Sequence, residues 1–293
     1  LGIVGEGRAG TVFIVEHKKN GKRFACKILK KRDHDLNTLK TEVEMLRKLD
    51  HPNIVRLYET HEDKETVFLL MELCSGGDLM DNISESGNLS EQVARVFARQ
   101  MLSALAYCHA NGVAHRDVKP ENFLLESEGS DCLTLKLADF GVATSIRPEH
   151  LGDNQRSETA CGSVPYMAPE TFSRGWWRKE VPLAQLAAAD LWSCGVTIYG
   201  MLCGHLPFGE TSDRICSGRP AEFAEPPWKS LPAEAADLVR KLLNHNVRDR
   251  WTAEQALAHP WLREAGPLRG PTGHVREFAL AALQGMRRWR QMP

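Results

Sequence analysis

A change of periodicity near residue 74 constrains this chain more than any other feature. Before it, apolar residues fall in short runs of strand type. VFIVEH (12–17) and RFACKIL (23–29) are rich in β-branched and aromatic residues and flank Asn20-Gly21, a hairpin signal. IVRLYETHEDKETVFLLMEL (54–73) reads as two further strands. One charged helix interrupts them at LNTLKTEVEMLRKL (36–49), with Leu39, Val43, Leu46 and Leu49 at helical spacing and Pro52 as its stop. After CSGGDL (74–79) helical patterns dominate. LSEQVARVFARQMLSALAYCHANG (89–112) is a long amphipathic helix with Ser90 as N-cap and Gly112 as C-terminal stop. Val93, Val96, Phe97, Met101, Leu105 and Cys108 line one of its faces. A short strand lies near LTLKLAD (133–139). The pattern implies an α+β fold: a small strand-rich lobe over residues 1–73, a hinge at 74–77 and a larger helical lobe over 78–265. The linker GPLRGPTG (266–273) and a last helical stretch to residue 293 follow.

A net charge of −1 over 293 residues gives no bulk attraction for nucleic acid or a membrane surface, so no nucleic-acid partner is expected. No run of about eighteen uninterrupted apolar residues occurs, so no transmembrane segment is expected either. Eight cysteines are scattered without a C-x-x-C pair, which fits reduced thiols in a cytoplasmic protein. The chain opens on Leu1 rather than Met and reads as a fragment, which leaves open an upstream segment that anchors it to a membrane.

Three short stretches hold residues that a packed lobe does not ask for. The first is GEGRAGTV (5–12), with Gly5, Glu6, Gly7, Gly10 and Val12. Closely spaced glycines let a backbone approach phosphate groups with no Cβ in the way, although a structural glycine turn has the same composition. A helix opening after the third glycine would mark a dinucleotide-binding turn. A strand follows instead, which favours a hairpin laid over nucleotide phosphates. The second is Lys27, centred in the apolar run FACKIL (24–29). An ammonium there either snorkels from a sheet edge or finds a partner. The next helix offers Glu42 and Glu44, and a Lys27–Glu42 pair would aim the ammonium at the phosphates. The third is HRDVKPENFLL (115–125), which sets Asp117, Lys119, Glu121 and Asn122 within six positions. A solvated loop tip accounts for the charges but not for the Phe123-Leu124-Leu125 that follows at once. These charges sit at the edge of a core.

HRDVKPEN, together with DFG (139–141) and APE (168–170), matches the ordered signatures of protein kinases. The chain resembles a eukaryotic-type protein kinase over nearly its whole length. The resemblance implies a bilobal protein-kinase fold, ATP and Mg²⁺ as cofactors, and Ser or Thr hydroxyls of protein substrates as acceptors. By matching positions, it implies that Asp117 accepts or orients the substrate hydroxyl proton and that Lys119 neutralises the transferring phosphoryl group. Asn122 and Asp139 would hold Mg²⁺, for which oxygen ligands suit. Val4, Val12, Ala25 and Leu124 would enclose the adenine, with Met71 as gatekeeper, Glu72 and Cys74 offering hinge backbone groups, and Asp78 meeting the ribose. Cys74 is read as a small buried residue rather than a reactive thiol. Leu46, Leu57, His115 and Phe140, anchored by Asp190, match the family's regulatory spine. Glu170 and Arg250 match its buried ion pair, and Ser163 matches the Thr that bridges Asp117 and Lys119. Arg116 before Asp117 marks the class whose activation loop a phosphate can hold, and Thr159 takes the usual phosphorylated position. Asp78 and Glu121 match acidic positions that select Arg three residues before the acceptor, whereas Gly200 stands where some relatives carry a further acid. The resemblance therefore implies R-x-x-S/T sites, and Lys119 is the Ser/Thr-type residue rather than the tyrosine type. A pseudokinase scaffold that binds nucleotide and partners without catalysis is the alternative, but it would have lost Lys27, Asp117 or Asp139.

KLDHPNIVRLYE (48–59), MELCSGGDLMD (71–81) and HPWL (259–262) are most similar to the calmodulin-dependent kinase group, and especially to calcium-dependent protein kinases. FALAALQGMRRWRQMP (278–293) resembles the start of that family's junction segment. The resemblance implies a calmodulin-like EF-hand domain beyond Pro293 in the same polypeptide. Val275, Phe278, Ala282, Met286 and Trp289 share one helical face, beside Arg287, Arg288 and Arg290. Such a helix suits the grip of a calmodulin-like domain, or caps the large lobe. No D-x-[DN]-x-[DN]-G loop occurs in these residues, so the chain itself is not expected to bind calcium. Nineteen residues separate Glu170 from Asp190, more than in relatives, and include Trp176-Trp177, read as a packed insertion rather than a docking patch.

Overall fold

The computed structural model describes residues 2–7, 10–33, 36–127, 133–145, 163–173, 176, 181–224 and 226–263; within these, the side chains of 3–7, 36–38, 41–42, 85–86 and 145 are outside the description. Thr159, Trp177 and the linker and terminal helix of 266–293 lie outside the described residues.

The strand-type runs form one five-stranded antiparallel sheet of β1 (Ile3–Gly7), β2 (Gly10–Glu16), β3 (Arg23–Lys30), β4 (Leu57–Glu62) and β5 (Thr66–Met71), in the order β1-β2-β3-β5-β4. The β2–β3 connection is wider than a two-residue Asn-Gly loop. His17 N–H donates to Lys22 O at 2.8 Å, and the N–H groups of Asn20 and Gly21 both reach His17 O inside it. Gly21 takes φ 69°, the left-handed conformation that glycine adopts without a Cβ clash. Helix α1 (Leu36–Lys48) lies between β3 and β4 in the chain and buries Leu39, Met45 and Leu46 in the core that holds Leu29, Val67 and Leu69 of the sheet.

The larger lobe is built on α3 (Glu91–Ala110), preceded by α2 (Leu79–Ser86). Ser90 Oγ accepts Val93 N–H and satisfies one of the helix's open donors. At the other end Asn111 is the cap, and Gly112 just beyond it has φ 74°. Phe97, Ala98, Met101, Leu102 and Leu105 of α3 are fully buried. Beyond α3 come β6 (Val113–Ala114), β7 (Phe123–Leu125), β8 (Leu135–Leu137) and β9 (Thr144–Ser145); β6 pairs with β9 and β7 with β8.

Against α3 lies α4 (Leu183–Cys203), long and apolar enough to cross a membrane by length and composition alone. A helix that is apolar nearly all round is an interior helix in a large domain. Here Leu191, Trp192, Cys194, Val196, Ile198 and Met201 are buried, and the Trp192 ring stacks on Phe208 at 5.2 Å. Among the described residues, α5 (Ser212–Cys216) lies against residues 164–172, α6 (Ala233–Leu242) packs on α4, and α7 (Ala253–Leu257) and α8 (Pro260–Arg263) pack on α3. Trp176 is packed with Ala114 and Leu186, which answers half of the Trp176-Trp177 question in favour of packing.

The matched ion pair is present: Arg250 Nη1 and Nη2 meet Glu170 Oε1 and Oε2 at 2.7 and 3.0 Å, while Arg250 also donates to the carbonyls of Asn244 and Ala188. The guanidinium is fully buried. Removing one partner of such a pair strands the other charge in a poorly solvating interior. Arg250→Met is therefore expected to lower the unfolding free energy by about 3–5 kcal/mol, as read by urea denaturation. A loss under ~1 kcal/mol would place the pair with ordinary surface salt bridges.

Candidate active site

The sequence anomalies converge on the cleft between the lobes. Gly5 lies opposite Val12, Glu6 opposite Thr11 and Gly7 opposite Gly10 in the β1–β2 hairpin; the side chains of Val4 and Glu6 are outside the description. Gly10 has φ 117°, and a Cβ there would stand 2.4 Å from the Ile28 carbonyl oxygen. At this position, then, the hairpin's own packing on β3 demands glycine, independently of any phosphate. Val12 pairs in register with Lys27, and Ala25 with Met71.

Lys27 is buried, not an edge charge, and its Nζ donates to Asp139 Oδ1 at 2.8 Å. Burial works to raise the Asp139 pKa, but the Lys27 charge and hydrogen bond, joined by His115 and the Gly141 N–H, outweigh it and hold the carboxyl below the ordinary 3.8. Glu42 is on α1 with its side chain outside the description, as is the Lys27–Glu42 pairing.

The HRDVKPEN stretch is a loop fixed at several points. Asp190, on α4, is almost fully buried; its Oδ2 accepts His115 N–H at 2.8 Å and its Oδ1 accepts Arg116 N–H at 2.7 Å. His109 Nε2 lies 2.9 Å from the same carboxylate. Asp117 N–H donates to His115 Nδ1 at 3.3 Å, which leaves Nε2–H to donate to Ala138 O at 3.0 Å. The His115 ring packs edge-on to Phe140 at 4.8 Å. Leu46 and Phe140 lie in the same core, with Leu57 packed against it.

Within the loop, Asn122 Nδ2 donates to Asp117 O at 2.7 Å and to Asp117 Oδ2 at 3.0 Å. Lys119 Nζ sits 3.0 Å from Asp117 Oδ2 and donates to Ser163 Oγ at 2.9 Å. Ala138 N–H donates to Asn122 O at 2.8 Å, tying this loop to the one that carries Asp139. Both Arg116 (φ 70°) and Asp139 (φ 56°) are left-handed non-glycine residues. Such conformations cost roughly 1–3 kcal/mol each and gather at functional sites. A carboxylate on Asp139 and an amide oxygen on Asn122 form a hard-oxygen donor set, and the Asn122 nitrogen is already committed to Asp117. These residues fit Mg²⁺.

At the hinge, Ser75 N–H donates to Glu126 O at 3.2 Å and Gly76 N–H to Leu125 O at 3.0 Å, so the segment runs along β7. A Cβ on Gly76 would meet Leu125 Cβ at 2.6 Å. Cys74 is buried, and burial, assisted by the Glu72 charge, pushes its thiol up to about 12, so it is protonated and inert at neutral pH. Asp78 does something that its sequence position did not disclose: its Oδ1 accepts Asp81 N–H at 2.9 Å and caps α2. Burial raises its pKa. Leu124 bridges to Asp78 across the base of the hinge, and Glu121 is exposed. Lys136 on β8 escaped the sequence reading. Its Nζ lies 2.8 Å from Glu72 Oε1. The signal was present, since a lysine between two leucines in LKL is the same anomaly as Lys27 in FACKIL.

A glycine-bearing hairpin, a lysine bonded across a cleft to an aspartate, and an Asp–Lys–Asn loop beside them define the class of bilobal kinases. The chain belongs to the protein kinase family: the family model of the protein kinase domain matches residues 1–262. It is similar to calcium-dependent protein kinase 1 of rice, 39% identical over 90% of this chain, and to calcium-dependent protein kinase 19 of Arabidopsis thaliana, 38% identical over 90%. It is also 38% identical, over 92%, to rice calcium/calmodulin-dependent serine/threonine-protein kinase 1. These alignments cover 50%, 47% and 44% of the relatives' own lengths, so the chain spans about half of each.

The depressed Asp139 carboxyl has a pH consequence. A carboxylate whose folded pKa lies below its unfolded value stabilises the fold above the ordinary 3.8 and loses that contribution as pH falls through the lowered value. In Lys27→Met the two largest lowering effects are gone and burial is opposed only by His115 and the Gly141 N–H, so Asp139 is expected to titrate higher than in the wild type. Carboxyl chemical shifts followed by NMR through a pH titration check this. An Asp139 that titrates identically in both proteins would show that Lys27 does not set its charge.

Proposed function

We propose that this chain is the catalytic part of an ATP- and Mg²⁺-dependent serine/threonine protein kinase. The observation that carries the reading is the paired constellation of Lys27 with Asp139 and of Asp117 with Lys119 and Asn122, held together by the Ala138–Asn122 hydrogen bond. Phosphoryl transfer needs positioning and charge neutralisation more than covalent chemistry, and a rigid, partly buried set of opposite charges supplies both. Asp117 accepts the proton of the attacking hydroxyl, while the Lys119 ammonium, shared with Ser163, lies beside it to neutralise phosphoryl charge. Lys27 holds phosphate oxygens of the nucleotide. Asn122 and Asp139 hold Mg²⁺, which neutralises and orients those oxygens when bound. Ala25, Val12, Val4 and Leu124 enclose the adenine, with the backbones of Glu72 and Cys74 at its edge. The division at the hinge, residues 74–77, goes with this reading.

Specificity follows from the acids beside the cleft. Asp78 and the exposed Glu121 recognise Arg three residues before the acceptor, and Gly200, with no carboxylate, leaves the nearer position unselected. A degenerate peptide array with ATP·Mg²⁺ tests chemistry and preference together. The wild type is expected to phosphorylate Ser and Thr in R-x-x-S/T, and Asp117→Asn to lose roughly 10²–10⁴-fold in rate with nucleotide binding retained. Wild-type rates in the variant would remove Asp117 from its role, and a proline-directed or acidic preference would refute the acidic recognition.

We extend the proposal to calcium control and to Thr159 as a phosphate-accepting position that Arg116 pairs with. Support for calcium comes from the relatives' names and from the basic amphipathic pattern of 275–290. A calmodulin-like domain in the same polypeptide draws that segment away when calcium rises, which requires different affinities in the two states. Residues 1–293 alone are expected to work equally with calcium or chelator, and the full-length protein to be activated by calcium. Equal activity of the full-length protein in both would end the regulatory proposal and leave the kinase reading intact.

A further inference from the structure

Behind the hinge lies a buried cation that none of the proposed chemistry uses. Lys136 sits at the middle of β8 with only 6% of its surface exposed, between buried Leu135 and Leu137. Its ammonium makes three contacts, one for each of its protons: Glu72 Oε1 at 2.8 Å, Pro52 O at 3.1 Å and Glu126 Oε1 at 3.4 Å. Burial works against the charge, but Glu72 and Glu126 more than offset it and keep the ammonium protonated.

The three partners belong to different parts of the molecule. Glu72 lies two residues before the hinge, and its Oε2 accepts Arg56 N–H at 3.2 Å while its own N–H donates to Arg56 O at 2.9 Å. Pro52 lies in the turn after α1. Glu126 directly follows β7, the strand along which the hinge runs, through Ser75 N–H to Glu126 O and Gly76 N–H to Leu125 O. One ammonium therefore grips the chain just before the hinge and just after the strand that supports it.

We propose that Lys136 is a positioning residue for the nucleotide: its ammonium sets the register and depth of the hinge at which the Glu72 and Cys74 backbones receive the adenine edge. The inference rests on the kinase reading above. Without the ammonium, Glu72 and Glu126 lose the cation that both of them contact, and the hinge moves as these carboxylates separate or hydrate. The catalytic loop is held by Asp190 and not by this cluster, so the loss falls on nucleotide affinity and not on the chemical step.

The test is the binding of a non-hydrolysable ATP analogue with Mg²⁺, measured by calorimetry, beside peptide kinetics and thermal unfolding. Lys136→Met is expected to weaken binding about ten-fold, ~1.4 kcal/mol, and to raise KM for ATP to match, with kcat at saturating ATP within about three-fold of wild type. Glu72→Gln keeps an oxygen for Arg56 N–H but loses the charge that holds Lys136, and is expected to weaken binding about three-fold. A folded Lys136→Met protein that binds as tightly as wild type, or that loses kcat with KM unchanged, overturns the inference. If Lys136→Met does not fold, Glu72→Gln decides, and unchanged affinity in it overturns the inference as well. A wild-type chain that binds no nucleotide removes the kinase reading and this inference together. A wild type that binds and phosphorylates while both variants match it removes the inference alone.

Discussion

The site depends on one buried carboxylate. Asp190 contacts no reacting atom in the proposed chemistry, yet it accepts the N–H groups of His115 and Arg116 and the approach of His109 Nε2. An acid of 1% exposure is tolerable only when its oxygens are fully engaged. That requirement works in both directions. The helix α4 that carries Asp190 needs donors, and the loop leading to Asp117 needs acceptors in order to hold Arg116 at φ 70°. A loop tied in this way keeps Lys119 Nζ and Asn122 Nδ2 each 3.0 Å from Asp117 Oδ2 without drawing on flexible surface contacts.

A second layer joins the lobes electrostatically. Lys27 belongs to the sheet and Asp139 to the helical lobe, and their 2.8 Å bond spans the cleft. His115 connects that bond to the first layer, since its ring packs on Phe140 next to Asp139 and its Nε2–H reaches Ala138 O. Asp139 is itself left-handed, so one strained residue stands in the Asp117 loop and another in the segment hydrogen-bonded to it. The structure holds both strained residues by hydrogen bonds to neighbouring elements: Arg116 N–H to Asp190, and the Asp139 carboxylate to Lys27. Such over-determination is how a fold retains unfavourable backbone where geometry matters.

Much of the fold was legible because it is written in local periods. The β-branched and aromatic runs at 12–17 and 23–29, and the 3.6-residue spacing in 36–49 and 89–112, each reappear as the corresponding strand or helix. The Asn20-Gly21 signal marked the right hairpin, but its width was fixed by His17 and Lys22 pairing beyond it. The site was legible through the charges and glycines that packing alone does not explain. Where a residue had two jobs, the sequence showed one. Asp78 matched a ligand-facing acid and is also the N-cap of α2; Gly10 matched a phosphate-facing glycine and is also required by the Ile28 carbonyl.

By itself the sequence determined the order of the elements, the place where strand gives way to helix, and the residues able to carry phosphoryl-transfer chemistry. Those properties are local, since period, cap and motif are read within one or two turns of chain. Tertiary structure alone decided which charges meet. Lys27 finds Asp139 at a separation of 112 residues, Asp190 finds His115 at 75, and Lys136 finds Glu72 behind the hinge. No local pattern encodes those distances. They arise when the sheet, α3 and α4 pack on a common core, which brings buried charges together and leaves them stable only as neighbours.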